Sequence, residues 1–261
     1  MKIVYSPFSK LWLVLLLLSS AACSKEDMVG SACTSPYVAP RSADAYNFPV
    51  LPGTEAWKKL QSGQAMVDAC QIPAAKLSAI STPGLLSTCL NYPLLGNILA
   101  YNSLQRGTRV QLESFNGFDE LRKRPEAASL LLERYQRMGP TCLPEGQVQR
   151  GNYSFSFTYV EMILAQDEYL AQLSADERRS LLREALTKYI EKKPLAESVY
   201  SDLGLATSVF VMARIMQAEQ YQPFLAAVRN EPDMAAFVAD VFVTNNSSVL
   251  NRVIEHALQF K

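Results

Sequence analysis

Residues that could do acid–base, nucleophilic or metal chemistry are few in this chain, and they are spread out. His256 is the only histidine. A zinc site built on two or three imidazoles is therefore excluded, and so is the His-Glu-x-x-His pattern. Any Ser–His or Cys–His nucleophile would have to use His256. It stands beside Glu255 on an amphipathic stretch near the C-terminus, a place that predicts a surface or interface residue. Neighbouring carboxylates occur at Asp119-Glu120, Asp167-Glu168 and Asp176-Glu177. Glycoside hydrolysis needs two carboxylates aimed at one bond. Adjacent helical residues diverge by about 100°, so none of these pairs is expected to converge. The last pair fits the preference of acids for a helix N-terminus. Neither Gly-x-Ser-x-Gly nor Gly-x-x-x-x-Gly-Lys occurs. No catalytic residue, metal or cofactor is expected.

Two charges interrupt apolar helical stretches. Glu161 lies in Tyr159-Val160-Glu161-Met162-Ile163-Leu164, and Arg214 in Val211-Met212-Ala213-Arg214-Ile215-Met216. A buried charge is costly unless it is paired. The expectation is a structural ion pair between Glu161 and Arg214 across two helices. The cysteines are Cys23, Cys33, Cys70, Cys89 and Cys142. The last four allow three pairings, which sequence does not decide. Cys70 and Cys89 sit among apolar residues, where a free thiol acts as a small hydrophobe, so thiols are favoured over disulfides. No Cys-x-x-Cys occurs, which removes the zinc knuckle and the thioredoxin-type site.

Cys23 has a different setting. Lys2 and Lys10 precede an apolar run, Leu11-Trp12-Leu13-Val14-Leu15-Leu16-Leu17-Leu18, and Ser19-Ser20-Ala21-Ala22 lead into the cysteine. The run is shorter than the roughly 20 residues a membrane span needs and has the build of an export signal. The segment resembles the lipobox of bacterial lipoproteins, with Ser20 where the pattern usually has Leu. The resemblance implies cleavage before Cys23, residues 1–22 as signal peptide, and lipid such as palmitate on the cysteine. Acyl chains contribute about 0.8 kcal/mol per buried CH₂, so two or three of them make a stable anchor. Ser24-Lys25-Glu26-Asp27 resembles the signal of surface-exposed lipoproteins in the Bacteroidota and reads equally as a linker. A cell-envelope location follows, with the outer membrane favoured.

The elements behind these residues read as helices. Residues 23–47 are rich in Ser, Ala, Pro and charge without apolar period, and are expected to be a flexible tether. The domain is placed at 48–261. Thr54, Ser62, Pro73 and Thr82-Pro83 mark helix starts, and Gly107 and Asn116-Gly117 punctuate later segments. Pro125 opens a helix with Ala128, Leu131, Leu132, Tyr135 and Met138 on its apolar face. Residues 139–152 read as a long loop and a possible sub-boundary. Tyr153–Tyr159 alternates aromatics with hydroxyls, but the following residues favour helix from Ser156. That aromatic cluster is the best candidate for an exposed ligand-stacking set, although core packing is the default reading. Ser174-Ala175-Asp176-Glu177 is a capping box. The helix it opens is expected to bury Leu181, Leu182, Ala185, Leu186, Tyr189 and Ile190 and to expose Arg178, Arg179, Arg183, Glu184, Lys188 and Glu191. Leu203–Ala218 is apolar nearly all round, which predicts a central helix. The fold class is all-α, a multi-helical bundle or stacked hairpins.

The 25 basic and 25 acidic residues balance, and no clustered basic stripe predicts a nucleic-acid partner. Four segments resemble an uncharacterised family of exported bacterial helical proteins over about 48–138. They are Phe48-Pro49 to Trp57, Ala69-Cys70-Gln71-Ile72-Pro73, Leu90-Asn91-Tyr92-Pro93-Leu94 and Phe115-Asn116-Gly117-Phe118. The resemblance implies no activity. The function expected is a lipid-anchored binding or scaffold module, attached to the membrane through its lipid, with a protein or glycan ligand. The alternative is a carboxylate-dependent hydrolase of envelope or dietary polymers. A pure spacer is the third possibility.

Overall fold

The computed structural model describes residues 1, 35–241 and 247–260. The leader, Cys23 and Cys33 lie outside the described residues. Fourteen α-helices and no strand occur among the described residues, so the fold is all-α. The first seven are α1 (Glu55–Lys58), α2 (Gly63–Ala69), α3 (Ala74–Leu77), α4 (Thr82–Leu90), α5 (Leu104–Ser114), α6 (Asn116–Leu121) and α7 (Ala127–Arg137). The others are α8 (Gln147–Leu164), α9 (Asp167–Leu170), α10 (Ala175–Lys192), α11 (Ser201–Ala218), α12 (Gln222–Asn230), α13 (Pro232–Asp240) and α14 (Ser247–Gln259).

Helix starts follow side-chain chemistry. Thr54, Ser62, Ser81, Ser103 and Ser174 each accept a hydrogen bond from a backbone N–H of the turn they open. This satisfies one of the donors a helix N-terminus leaves free. The capping box is complete: Ser174 Oγ accepts from Glu177 N, and Ser174 N donates to Glu177. At the start of α4 the cap is Ser81, one residue earlier than Thr82-Pro83 suggests, with Pro83 in the first turn.

The core is centred on α11, buried from Gly204 to Ala213 without a break and again at Ile215 and Met216. Helices α8, α10 and α14 pack most heavily on it. An apolar helix of this length has the hydropathy of a membrane span, but its apolar surface is taken up by the domain core. In the N-terminal half, Tyr92 stacks on Phe115 with ring centroids 4.3 Å apart, and Phe118 meets both edge-on. These aromatics are core, as their helical spacing suggests.

Three expectations need correction. Residues 139–152 are not a domain boundary. The described residues from 35 onward belong to one compact unit, and one hydrophobic cluster runs from Cys70 to Ala257. Gly146, at φ 85°, makes the turn into α8, which begins at Gln147 and passes straight through Gly151. The Tyr153–Tyr159 alternation is therefore helical. It buries Phe157 and leaves Phe155 partly exposed.

The stretch 35–47 is not a free tether. Tyr37 and Tyr46 pack on the core, Tyr46 N donates to Thr88 Oγ1 at 2.9 Å, and Ser81 N donates to Asp44 Oδ2 at 2.7 Å. An extended strap has no apolar period to read, because its contacts are single anchors. The face of α10 also differs from expectation. Its buried row is Leu181, Ala185, Lys188 and Lys192 with Leu182 and Tyr189, while Ile190 is 57 % exposed. Two lysines continue the inward row where the apolar pattern stops.

Four segments that carry turn formers and apolar anchors in the sequence, 48–57, 69–73, 90–94 and 115–118, meet in space. Asn116 N donates to Gln71 Oε1 at 3.0 Å, and Gln71 Nε2 donates to Ser114 O at 3.0 Å. Asn116 Oδ1 accepts from Ile72 N at 3.0 Å, and its Nδ2 donates to Ile72 O at 2.8 Å. Two side-chain amides thus satisfy the backbone at two helix junctions, in place of a strand partner. Phe48, Tyr92, Phe115 and Phe118 cluster beside them. Together these segments form a packing device.

Candidate functional site

The most concentrated chemistry in the domain is buried. Glu161 projects from α8 into the interface with α10 and α11 and is 0 % exposed, as is Lys192 at the end of α10. Their ion pair is 2.7 Å long. Glu161 Oε1 also accepts from Tyr135 OH at 2.6 Å and from Ser208 Oγ at 2.7 Å, and Oε2 accepts from Thr207 Oγ1. Lys192 Nζ donates to Gly204 O at 3.1 Å and to Ser208 Oγ at 3.0 Å. It also lies over the Phe157 and Tyr200 rings, at 4.8 Å and 5.6 Å from their centroids. Burial pulls the Lys192 ammonium below the ordinary lysine value, and the Glu161 charge opposes that pull. Burial raises the Tyr135 phenol, and the adjacent Glu161 charge adds to the rise.

A serine within hydrogen-bond reach of a lysine can be a nucleophile with its base. This one cannot meet a substrate. Tyr135, Glu161, Lys192, Thr207 and Ser208 are all fully buried. The Ser208 hydroxyl donates to Glu161, and all three ammonium protons of Lys192 have acceptors. A network satisfied in this way fixes the register of α7, α8, α10 and α11.

The expected Glu161–Arg214 pair is therefore wrong. Arg214 Nη2 pairs with Asp167 Oδ1 at 2.7 Å, and its Nε donates to Ala165 O at 3.1 Å. The two charges do lie on helices that pack together. However, Glu161 faces Thr207 and Ser208, and Arg214 stands six residues beyond Ser208. At 1.5 Å per residue that is about 9 Å along the axis, so each charge found a nearer partner. Lys192 gave no sequence signal except its place on the inward row of α10.

The accessible candidate is a pair of grooves on either side of Arg134, near the C-terminal end of α7. One, of about 350 Å³, is walled by Pro36, Tyr37, Val38, Ala39, Met138, Pro144, Gln149, Asn152, Tyr153 and Ser156. The other, of about 230 Å³, lies between the strap and α4 and α7, with Pro40, Pro83, Leu86, Ser87, Leu130, Glu133 and Arg137. Tyr37, Ala39 and Arg134 border both. Arg134 Nε is buried without a hydrogen-bond partner, and among the described residues no carboxylate lies within ion-pair distance of this side chain. Glu133, next to it in sequence, pairs with Arg137 instead. Desolvation lowers the Arg134 guanidinium below the usual arginine value, and the nearby Tyr37 hydroxyl works the other way. Tyr153, in the wall of the larger groove, donates its OH to Gly139 O at 3.1 Å, and Tyr200 OH donates to the next residue's carbonyl, Pro140 O, at 2.6 Å.

The chain matches no family model, no curated protein and no solved structure.

Among the described residues no group of three or more His, Cys, Asp or Glu could hold a metal ion. Among the described residues, Glu133 is the one carboxylate lining the Arg134 grooves, and Asp44 the one lining a further groove by Lys76 and Ile80. The groove at Gly146, Arg150 and Val199 has none. Asp119 and Glu120 pair with Arg122 and Arg124, Glu168 with Arg109, and Asp176 with Arg179. His256 sits between the Tyr221 and Phe224 rings, with its Nδ1 buried and unpartnered. Cys70 and Cys89 are free and buried, as their apolar surroundings suggest. Cys142 is disulfide-bonded, contrary to the preference for thiols, and its partner is outside the described residues.

Proposed function

We propose that this protein is a lipid-anchored binding module of the bacterial cell envelope, held by acyl chains on Cys23 and presenting the Arg134 grooves to a ligand. The observation that carries the binding part is Arg134, a cation with a buried, unpartnered Nε bordering two grooves. A desolvated charge without a counter-charge is costly to keep, and a ligand anion would relieve that cost. The anchor rests on the basic start, the short apolar run and the small residues before Cys23. The hydrolase reading lacks support, because no groove described brings two carboxylates together.

Metabolic labelling with an alkynyl palmitate tests the anchor. The full-length protein takes up label and partitions with membranes, and Cys23→Ala does neither. Equal labelling and fractionation of the two would end the proposal. Protease added to intact cells then reports whether the domain faces outward.

A further inference from the structure

We infer that the larger Arg134 groove binds an organic carboxylate with an apolar body, a reading that rests on the binding-module function proposed above. Other partly buried arginines of the domain have an acid. Arg109 pairs with Glu113 and Glu168, Arg124 with Glu120, Arg178 with Glu219, and Arg214 with Asp167. Arg134 is the exception among the described residues, and its Nε is buried with no acceptor. That Nε is shut away from the groove, but the Arg134 side chain lines the groove with no counter-charge, which leaves a cation there for an unseen partner. Charge complementarity makes that partner an anion.

The walls narrow the choice. Val38, Met138, Pro144 and the Tyr153 ring give the groove a mainly apolar lining, with Gln149 and Asn152 amides at its α8 side. An inorganic anion would leave those walls in water. A neutral apolar molecule would leave the guanidinium unpaired and strip it of more water. A carboxylate on an apolar body satisfies both, since one guanidinium matches one carboxylate as a two-bond fork. Among the described residues no second cation lines this groove, which disfavours a phosphate dianion. A volume of about 350 Å³ falls within the usual span of small-ligand sites, roughly 300–1,000 Å³. The same chemistry comes from a small free acid or from the C-terminus of a peptide ending in an apolar residue.

Titration calorimetry on the full-length chain in neutral-lipid nanodiscs tests this. The probes are 3-phenylpropanoate against 3-phenylpropanamide, and an Ala-Ala-Leu peptide with a free against an amidated C-terminus. At least one acid binds, its amide binds about tenfold or more weakly, Arg134→Gln abolishes the difference, and Arg134→Lys keeps part of it. Whichever acid binds identifies the source. Arg179→Gln, a surface substitution, leaves binding unchanged. Equal binding of acid and amide, no binding of either acid, or an acid preference that survives in a folded Arg134→Gln protein overturns the inference. Amide binding in the groove, or palmitate labelling at Cys23, would leave the binding-module reading standing in those cases.

Discussion

At the scale of single residues, the decisive group is one the sequence hides. Lys192 is the last residue of a polar-looking helix, yet it neutralises the only fully buried carboxylate among the described residues. Removing one member of such a pair strands the other charge, which costs about 3–5 kcal/mol. Lys192→Met is expected to lose that much in urea unfolding. Glu161→Leu combined with Lys192→Met should recover only part of it: two apolar groups need no counter-charge, but the buried Tyr135 hydroxyl loses its acceptor. A double variant as unstable as the single one would show that the pair does not carry the effect. The thiols give a second expectation. Burial pushes Cys70 up to about 11 and Cys89 well above the ordinary value. Only a thiolate attacks, and only from an accessible site. A disulfide reagent is therefore expected to leave both unmodified in the native protein and to react with both after unfolding, as mass spectrometry would record.

At the scale of elements, junctions matter more than helix propensity. Gly107 reads in sequence as punctuation, but it lies inside α5. A Cβ there would stand 2.2 Å from Ile98 O. The glycine lets α5 press onto the short 3-10 helix Leu95–Ala100. Gly107→Ala improves helix propensity by about 1 kcal/mol, yet the clash with backbone should make the protein less stable overall. An unchanged or raised Tm would contradict the packing. Asn116→Ala removes two hydrogen bonds to Ile72 and leaves its backbone N–H and C=O with no side-chain partner. A loss of about 1–3 kcal/mol is expected. Asn116→Asp should recover only part of this, because it keeps the acceptor and loses the donor to Ile72 O.

For the whole molecule, the strap 35–47 closes the Arg134 grooves, so its attachment sets the shape of the site. The hydroxyl of Ser42, then the backbone and side chain of Ser81, hold the Asp44 carboxyl at about 2, below its ordinary 3.8. A depressed acid adds stability that is fully present above the unfolded value and is lost as pH falls through the folded one. The Tm difference between the natural chain and Asp44→Asn should therefore be constant above pH 3.8 and shrink toward pH 2. A difference that does not change with pH would remove Asp44 as the fastener. Reduction of the disulfide at Cys142 is expected to cost about 2–4 kcal/mol, visible as a lower Tm in dithiothreitol.

Local chemistry was legible in the residues. The serine and threonine caps, the capping box, the all-helical class and the central place of α11 follow from hydrogen-bonding side chains and apolar spacing, which act over one or two turns. The thiol state of Cys70 and Cys89 follows from their neighbours in the same way. What depends on distant segments was not legible. Glu161 announced itself as a buried charge, but its partner was set by axial offsets between helices that no spacing encodes. The strap, the Gln71–Asn116 clamp and the unpaired Arg134 exist only once chain segments far apart in sequence are brought together. The sequence determined which stretches coil and which faces seek cover. The tertiary structure alone decided which charges met and which was left facing a groove, because electrostatic pairing depends on distances that only the packed chain defines.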